Sequence, residues 1–126
     1  MAAKVVDASA LAALLFGEPE AEIVAEQLEN AQLVAPALLG FELANVGLIK
    51  CRRYPAQSQA LTAAFRLRER LAVREVAIDH EDALNLAKQT GLTVYDASYL
   101  WLARQLKAEL ITLDIQLAKA DADLPR

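Results

Sequence analysis

The chain reads as an α/β protein with a mainly parallel sheet, and three observations predict it. Short apolar or β-branched runs alternate with segments of helical period, the pattern of β–α–β units joined by right-handed crossovers. Two of those runs, Lys4-Val5-Val6 and Leu110-Ile111-Thr112-Leu113, pass straight into an Asp that opens a helix. The 126 residues are 56% hydrophobic with four glycines and four prolines, enough apolar content to bury a core and no low-complexity segment. One domain over residues 1–126 is expected.

The first strand, Lys4–Val6, leads into a helix opened by Asp7-Ala8-Ser9 and running to Phe16. Asp7 therefore stands at the carboxyl end of a strand, where open α/β sheets gather ligands; Asp7 or Ser9 equally suits a helix cap. Gly17-Glu18-Pro19 breaks the chain. A second helix then reaches Leu28, with Ile23, Val24 and Leu28 on its apolar face and Glu20, Glu22, Glu26 and Glu29 towards water. Leu33-Val34-Ala35 is a second strand, ended by Pro36. The helix from about Ala37 to Arg52 puts Leu38, Leu39, Glu42, Val46 and Ile49 on one stripe, with Asn45 three residues after Glu42. Glu is seldom chosen for an apolar stripe. Phe41, Ala44 and Leu48 make the opposite side apolar too, so this helix is central or meets a partner chain.

Lys50, Arg52 and Arg53 form the densest cationic cluster, suited to the dipole of a helix C-terminus or to phosphates, before Tyr54-Pro55 ends the helix. Ala56 to Arg70 has the spacing of an amphipathic helix through Leu61, Ala64 and Phe65. Val73 to Ile78 alternates like a half-buried strand, Asp79 and Asp82 form a cap for a helix over 81–89, and Gly91 stops it. From Tyr95 to Ala103 only Asp96 is charged, in a helix apolar on several sides that continues to Lys107. A lone carboxylate at the head of a buried helix is either a first-turn acid satisfying backbone N–H groups or a ligand for a cation. The strand Leu110–Leu113 runs into Asp114, which repeats the placement of Asp7, and a short helix from Ile115 to Ala120 precedes a polar tail. Tyr95, Tyr99 and Trp101 suit core or dimer packing better than base stacking, given their apolar surroundings.

Net charge is −4, so no global basic field marks a nucleic-acid binder. The single Cys51 excludes an internal disulfide and suits a reducing cytoplasm; no signal peptide or membrane-length run is seen. His80, the one histidine, sits in a helix cap, which leaves no His-based triad or His-rich metal site. Four acids remain to be explained: Asp7, Glu42, Asp96 and Asp114. If they converge, two carboxylates ~4 Å apart repel by about 4 kcal/mol at an effective dielectric near 20. Several such pairs rival a domain stability of roughly 5–15 kcal/mol. Either some acids stay protonated or a divalent cation sits among them, and all-oxygen ligands favour Mg²⁺ or Mn²⁺.

Val5-Val6-Asp7-Ala8-Ser9-Ala10-Leu11 resembles the opening motif of PIN-domain proteins. Phe41-Glu42-Leu43-Ala44-Asn45-Val46, Tyr95-Asp96-Ala97-Ser98-Tyr99-Leu100 and Leu110-Ile111-Thr112-Leu113-Asp114 are similar to the family's other three motifs, in order. Size and motif set resemble the VapC toxins of type II toxin–antitoxin modules, over residues 4 to 120. The resemblance implies a three-layer α/β/α sandwich with four to five strands, and Asp7, Glu42, Asp96 and Asp114 as an acidic Mg²⁺ (or Mn²⁺) site. It implies Ser9 and Asn45 in supporting places, and hydrolysis of RNA, transfer RNA among the candidates, by water rather than by the ribose 2′-OH. It also implies a homodimer and a cognate VapB-type antitoxin. Lys50, Arg52 and Arg53 are candidate phosphate contacts. One departure is that family members usually continue into a last edge strand, whereas Leu124-Pro125-Arg126 follows here.

The alternative is a binding module that keeps the fold without catalysis, against which all four acids speak. A phospho-receiver domain also has an acidic cluster, but it needs adjacent acids after its first strand and a lysine after its last. Asp7-Ala8 and Asp114-Ile115 supply neither.

Overall fold

The computed structural model describes residues 1–126. Strands β1 (Ala3–Val6), β2 (Gln32–Pro36), β3 (Arg74–Val76) and β4 (Glu109–Ile111) form one all-parallel sheet in the order β3-β2-β1-β4. It is flanked by α1 (Ala8–Leu15), α2 (Ala21–Leu28), α3 (Leu39–Arg53), α4 (Ser58–Arg66), α5 (His80–Thr90), α6 (Val94–Leu106) and α7 (Ile115–Asp123). This is the α/β architecture the sequence predicts, with four strands. The chain winds outward from β1 to β3, then returns to place β4 on the other side of β1. The strand order therefore reverses between β1 and β4, and in open α/β sheets the crevice at such a switch point receives the ligand.

The core lies on both sides of β1. Val5, Val6, Val34, Ala35 and Ile111 of the sheet meet Leu11, Leu39, Leu43, Leu100 and Leu117 of the helices, all buried. The helix α6 is the most enclosed: Ala97, Ser98, Tyr99, Leu100, Leu102 and Ala103 are buried, as an apolar circumference requires. No helix is long and apolar enough to cross a membrane.

Several expected details shift. In α3 the buried line is Leu39, Leu43 and Gly47, while Ile49 is 56% exposed. The buried side follows Leu39 and Leu43 onto the core, with Gly47 against the Phe16 ring, so Ile49 faces outward. Ile23 is likewise exposed, leaving Val24 as the buried residue of α2. The helix expected over 56–70 divides into a 3-10 turn at Pro55–Gln57, α4, and a second 3-10 turn at Leu67–Leu71, with no buried residue in any of them. The third strand shortens to the three residues that pair with Val34, Ala35 and Pro36. The fourth ends at Ile111, because the Leu113 N–H leaves the sheet to donate to Ser9 Oγ at 2.9 Å. The last helix runs on to Asp123. Arg104 holds its end, donating to the Asp121 carboxylate at 2.6 Å and to the carbonyls of Asp121 and Leu124 at 2.9 and 3.0 Å.

Candidate active site

Asp7 leaves β1 in extended conformation and caps α1, accepting the Ala10 N–H on Oδ1 at 3.0 Å. Its backbone N–H donates to the Ile111 carbonyl at 3.1 Å, which stitches the ends of β1 and β4 together. Two hydroxyls complete the join. Ser9 Oγ donates to Asp7 Oδ1 at 2.7 Å and accepts from Leu113 N–H. Thr112 Oγ1 donates to Asp7 Oδ2 at 2.5 Å and accepts from Asp114 N–H at 3.0 Å. Each hydroxyl thus bridges the Asp7 carboxylate to the backbone that carries Asp114. Asp114 itself caps α7 through Leu117 N–H at 2.9 Å. The two strand-end acids are therefore both cap residues and neighbours; the capping and ligand readings of Asp7 coexist.

The other two acids come from α3 and α6. The cap of α6 is Thr93, whose hydroxyl accepts from Asp96 N–H at 3.1 Å, so Asp96 stands inside the first turn rather than capping it. Glu42 is in the first turn of α3 and accepts a 2.6 Å hydrogen bond from the hydroxyl of the buried Tyr99, one turn after Asp96. That bond ties the acid of α3 to the helix of Asp96.

The electrostatics join all four. Burial raises the Asp7 carboxyl above its ordinary range against the pull of Thr112, the Ala10 N–H and Ser9, and the Asp114 charge adds to the rise. Burial first, then Asp114 and Asp7, raise Asp96, with the Thr93 hydroxyl opposing. Burial raises Glu42 as well; the Tyr99 donor opposes, and Asp96 and Asp7 push further up. Burial and the Glu42 carboxylate in turn keep the Tyr99 hydroxyl protonated. The acids are thus within Coulombic reach of one another, yet no three of them stand close enough to seize one ion directly. Mutually repelling, all-oxygen donors at that spacing fit a hard divalent ion that keeps several of its waters, as Mg²⁺ does.

A protein-family profile, that of the PIN domain, matches residues 4–123. The chain belongs to the PIN-domain family. Within it the chain groups with the VapC ribonucleases. Ribonuclease VapC3 of Pyrobaculum aerophilum is 38% identical over 120 residues, 91% of this chain and 92% of that protein. Ribonuclease VapC9 of Mycobacterium tuberculosis is 35% identical over 121 residues, 90% of this chain and 87% of that one. The crystal structure of PAE2754 from Pyrobaculum aerophilum shares the fold, with a TM-score of 0.77 at 23% identity over 94% of this chain and 84% of that one.

Not every predicted residue of this PIN domain reaches the acids. Ser9 does. Asn45 is exposed on α3 and no hydrogen bond joins it to an acid. Lys50, Arg52 and Arg53 occupy the last turn of α3, roughly 12–16 Å along the axis from Glu42 at about 1.5 Å per residue. Lys50 is engaged there with Glu18 at 2.8 Å and with the Phe16 ring. Two contributors went unnoticed in the sequence. Thr112 is a polar residue ending an apolar strand two positions before Asp114, a legible signal. Tyr99 looked like plain core, and its ring is core; only the fold reveals that its hydroxyl reaches a residue 57 positions away.

Proposed function

We propose that this PIN domain is a metal-dependent endoribonuclease toxin of a toxin–antitoxin module, hydrolysing RNA phosphodiester bonds at Asp7, Glu42, Asp96 and Asp114. The observation that carries the reading is the joining of Asp7 to the backbone of Asp114 through Ser9 and Thr112 at the switch point between β1 and β4, with Glu42 and Asp96 near enough to feel the Asp7 charge. Bound there, Mg²⁺ or Mn²⁺ supplies a water of lowered pKa and screens charge on the phosphate. Asp7 and Asp96 would hold the ion directly, Glu42 and Asp114 through water or a second ion. Ser9 and Thr112 fix the Asp7 carboxylate in place. Tyr99 fixes Glu42 in the same way. With the ion bound, an outer carboxylate, Glu42 or Asp114, would accept a proton from water, for which a raised pKa at Glu42 is an advantage.

The partners follow from the surroundings. RNA is the substrate, transfer RNA among the candidates, with Arg52 and Arg53 as phosphate contacts away from the acids, in the cytoplasm. Phe41, Leu48 and Ile49 leave α3 with an exposed apolar side suited to a homodimer. Beside Glu42 and Asp96 lies an apolar cleft of about 290 Å³, lined by Leu38, Ile78, Val94 and Tyr95 among others. It fits the amphipathic segment of a VapB-type antitoxin. A cationic side chain from that segment would relieve the same repulsion as the metal, so antitoxin and Mg²⁺ compete.

The decisive variant is Asp7→Asn, which keeps the shape and removes the charge. Cutting of structured RNA should fall about a thousandfold, ~4 kcal/mol at 1.36 kcal/mol per tenfold, while the thermal transition survives. Cutting by wild type that persists in excess EDTA would overturn the mechanism, since no other base or nucleophile constellation is present.

A further inference from the structure

Seven of the thirteen Lys and Arg residues, and one of the seventeen Asp and Glu residues, lie between Lys50 and Arg74. That stretch carries +6 in a chain of net −4, so the remainder carries −10. The fold gathers it into one hairpin. The last turn of α3 bears Lys50, Arg52 and Arg53; the chain turns at Tyr54-Pro55; α4 returns along α3 over an apolar seam of Gly47, Leu48, Leu61 and Phe65. The turn Leu67–Leu71 then brings Arg68 to Glu75 at 3.9 Å, with its guanidinium 3.4 Å from the place of a Cβ on Gly40. Gly40 is two residues from Glu42 and so on the opposite face of α3. The base of the hairpin therefore packs at the β3 edge of the sheet, and its tip lies at the far end of α3 from Glu42.

Two of the seven cations have partners within the molecule: Lys50 with Glu18, and Arg68 with Glu75. Arg52, Arg53, Arg66, Arg70 and Arg74 are exposed and in no ion pair. At the tip, Tyr54 is 46% exposed with the Arg53 guanidinium 5.6 Å from its ring centre.

We infer that this hairpin is a second RNA-binding surface, one that grips backbone phosphates away from the bond to be cut. The inference rests on RNA being the substrate. A polyanion approaching the acid crevice meets a surface of its own sign, so its affinity must come from elsewhere on the molecule, and the hairpin holds the densest run of opposite sign. Its free cations are all arginines, whose planar forks match phosphate oxygens in pairs. The Tyr54–Arg53 stack adds a flat platform of the kind on which unpaired bases rest. From Glu42 to Arg52 is about 15 Å along α3 at 1.5 Å per residue. That spans roughly four to five nucleotide steps at about 3.4 Å each, so an RNA cut at the acids reaches the tip only if it extends that far.

Binding is measured in EDTA, where nothing is cut, so the result is independent of whether the acids catalyse. An RNA of about 20 nucleotides is titrated by fluorescence anisotropy between about 50 and 200 mM salt. Wild type should bind it with a steep salt dependence. The variant R52Q/R53Q/R66Q/R70Q should lose about three units of that log–log slope, at 0.7–0.9 per phosphate contact, and about tenfold or more in affinity at low salt. Its melting temperature should match wild type; if four changes prevent folding, R52Q/R53Q and R66Q/R70Q separately should each remove about half the slope. Absence of salt-sensitive binding by wild type, or equal binding by the variant, overturns the inference. So does a variant that binds long RNA normally and loses only an acidic amphipathic peptide, which would make the hairpin a protein-docking face.

Discussion

Asp7 is 4% exposed and takes three hydrogen bonds, from Ser9 and Ala10 of α1 and from Thr112 just after β4. In the hairpin, α4 buries no residue, and five of the six arginines around it are exposed and in no ion pair. The crevice accumulates negative charge against burial; the hairpin disperses positive charge over solvent. Bond cleavage needs groups fixed to a fraction of an ångström, which only a packed and hydrogen-bonded surround supplies. Holding a phosphate chain needs charge of the right sign along a path, which a solvated hairpin supplies while remaining free to adjust. The two ends should therefore fail differently under mutation.

The largest expected contrast is in stability. Leu100 is fully buried in α6 beneath the acids, whereas Leu61 only half-covers the seam between α3 and α4. Leu100→Ala should cost about 2–5 kcal/mol, and Leu61→Ala about 1 kcal/mol, in urea unfolding. Equal costs would mean that the hairpin is part of the cooperative core, and the division drawn here would fall.

A smaller contrast is in the response to metal. Mg²⁺ or Mn²⁺ at ten times its Kd should stabilise wild type by about 1.4 kcal/mol, a rise of a few degrees in melting temperature. Asp96→Asn removes one of the repelling charges, so it should melt higher than wild type without metal and gain less from it. R52Q/R53Q should gain as much as wild type. No metal-dependent shift in wild type at millimolar concentration would break the convergent-acid picture.

The two ends also differed in how far the sequence revealed them. The acids of the crevice were legible because each breaks a local rule: Asp7 and Asp114 end apolar strands, and Asp96 and Glu42 interrupt apolar helical surfaces. Their partners were less so. Ser9 lies two residues from Asp7 and was visible, but the Tyr99 hydroxyl reaches Glu42 only through the packing of α6 against α3. The phase of α3 was misjudged for a related reason. Counting apolar residues selects Ile49, but the core receives the line through Leu39, Leu43 and Gly47, and a glycine carries no hydropathy signal to mark that line. The hairpin's charge was legible at Lys50, Arg52 and Arg53 alone. Its extent was not, because Arg66 and Arg70 come onto the same hairpin, at its other end, only when the chain doubles back at Pro55.

The smallest effect is the dependence of metal-free stability on pH, and it isolates the crevice most cleanly. Asp7, Glu42 and Asp96 all hold their protons more tightly in the folded state than ordinary carboxyls do, chiefly through burial and then through one another. Between the ordinary carboxyl range near 4 and these raised values, the folded protein binds more protons than the unfolded chain. Stability contributed by these groups is thus fully present below about pH 4 and is lost as pH rises through their folded values. Asp96→Asn deletes one such group and relieves Asp7 and Glu42, so its stability in EDTA should fall less steeply over that window, by a fraction of one bound proton. R52Q/R53Q changes nothing in the crevice and should parallel wild type. Adding Mg²⁺ should reverse the sign for wild type, because a metal selects the deprotonated acids and binds better as pH rises. Urea titrations at several pH values, with and without the ion, measure all three slopes. If wild type and Asp96→Asn give superimposable slopes in EDTA, the carboxylates do not sense one another, and the electrostatic basis for a metal at this crevice is gone.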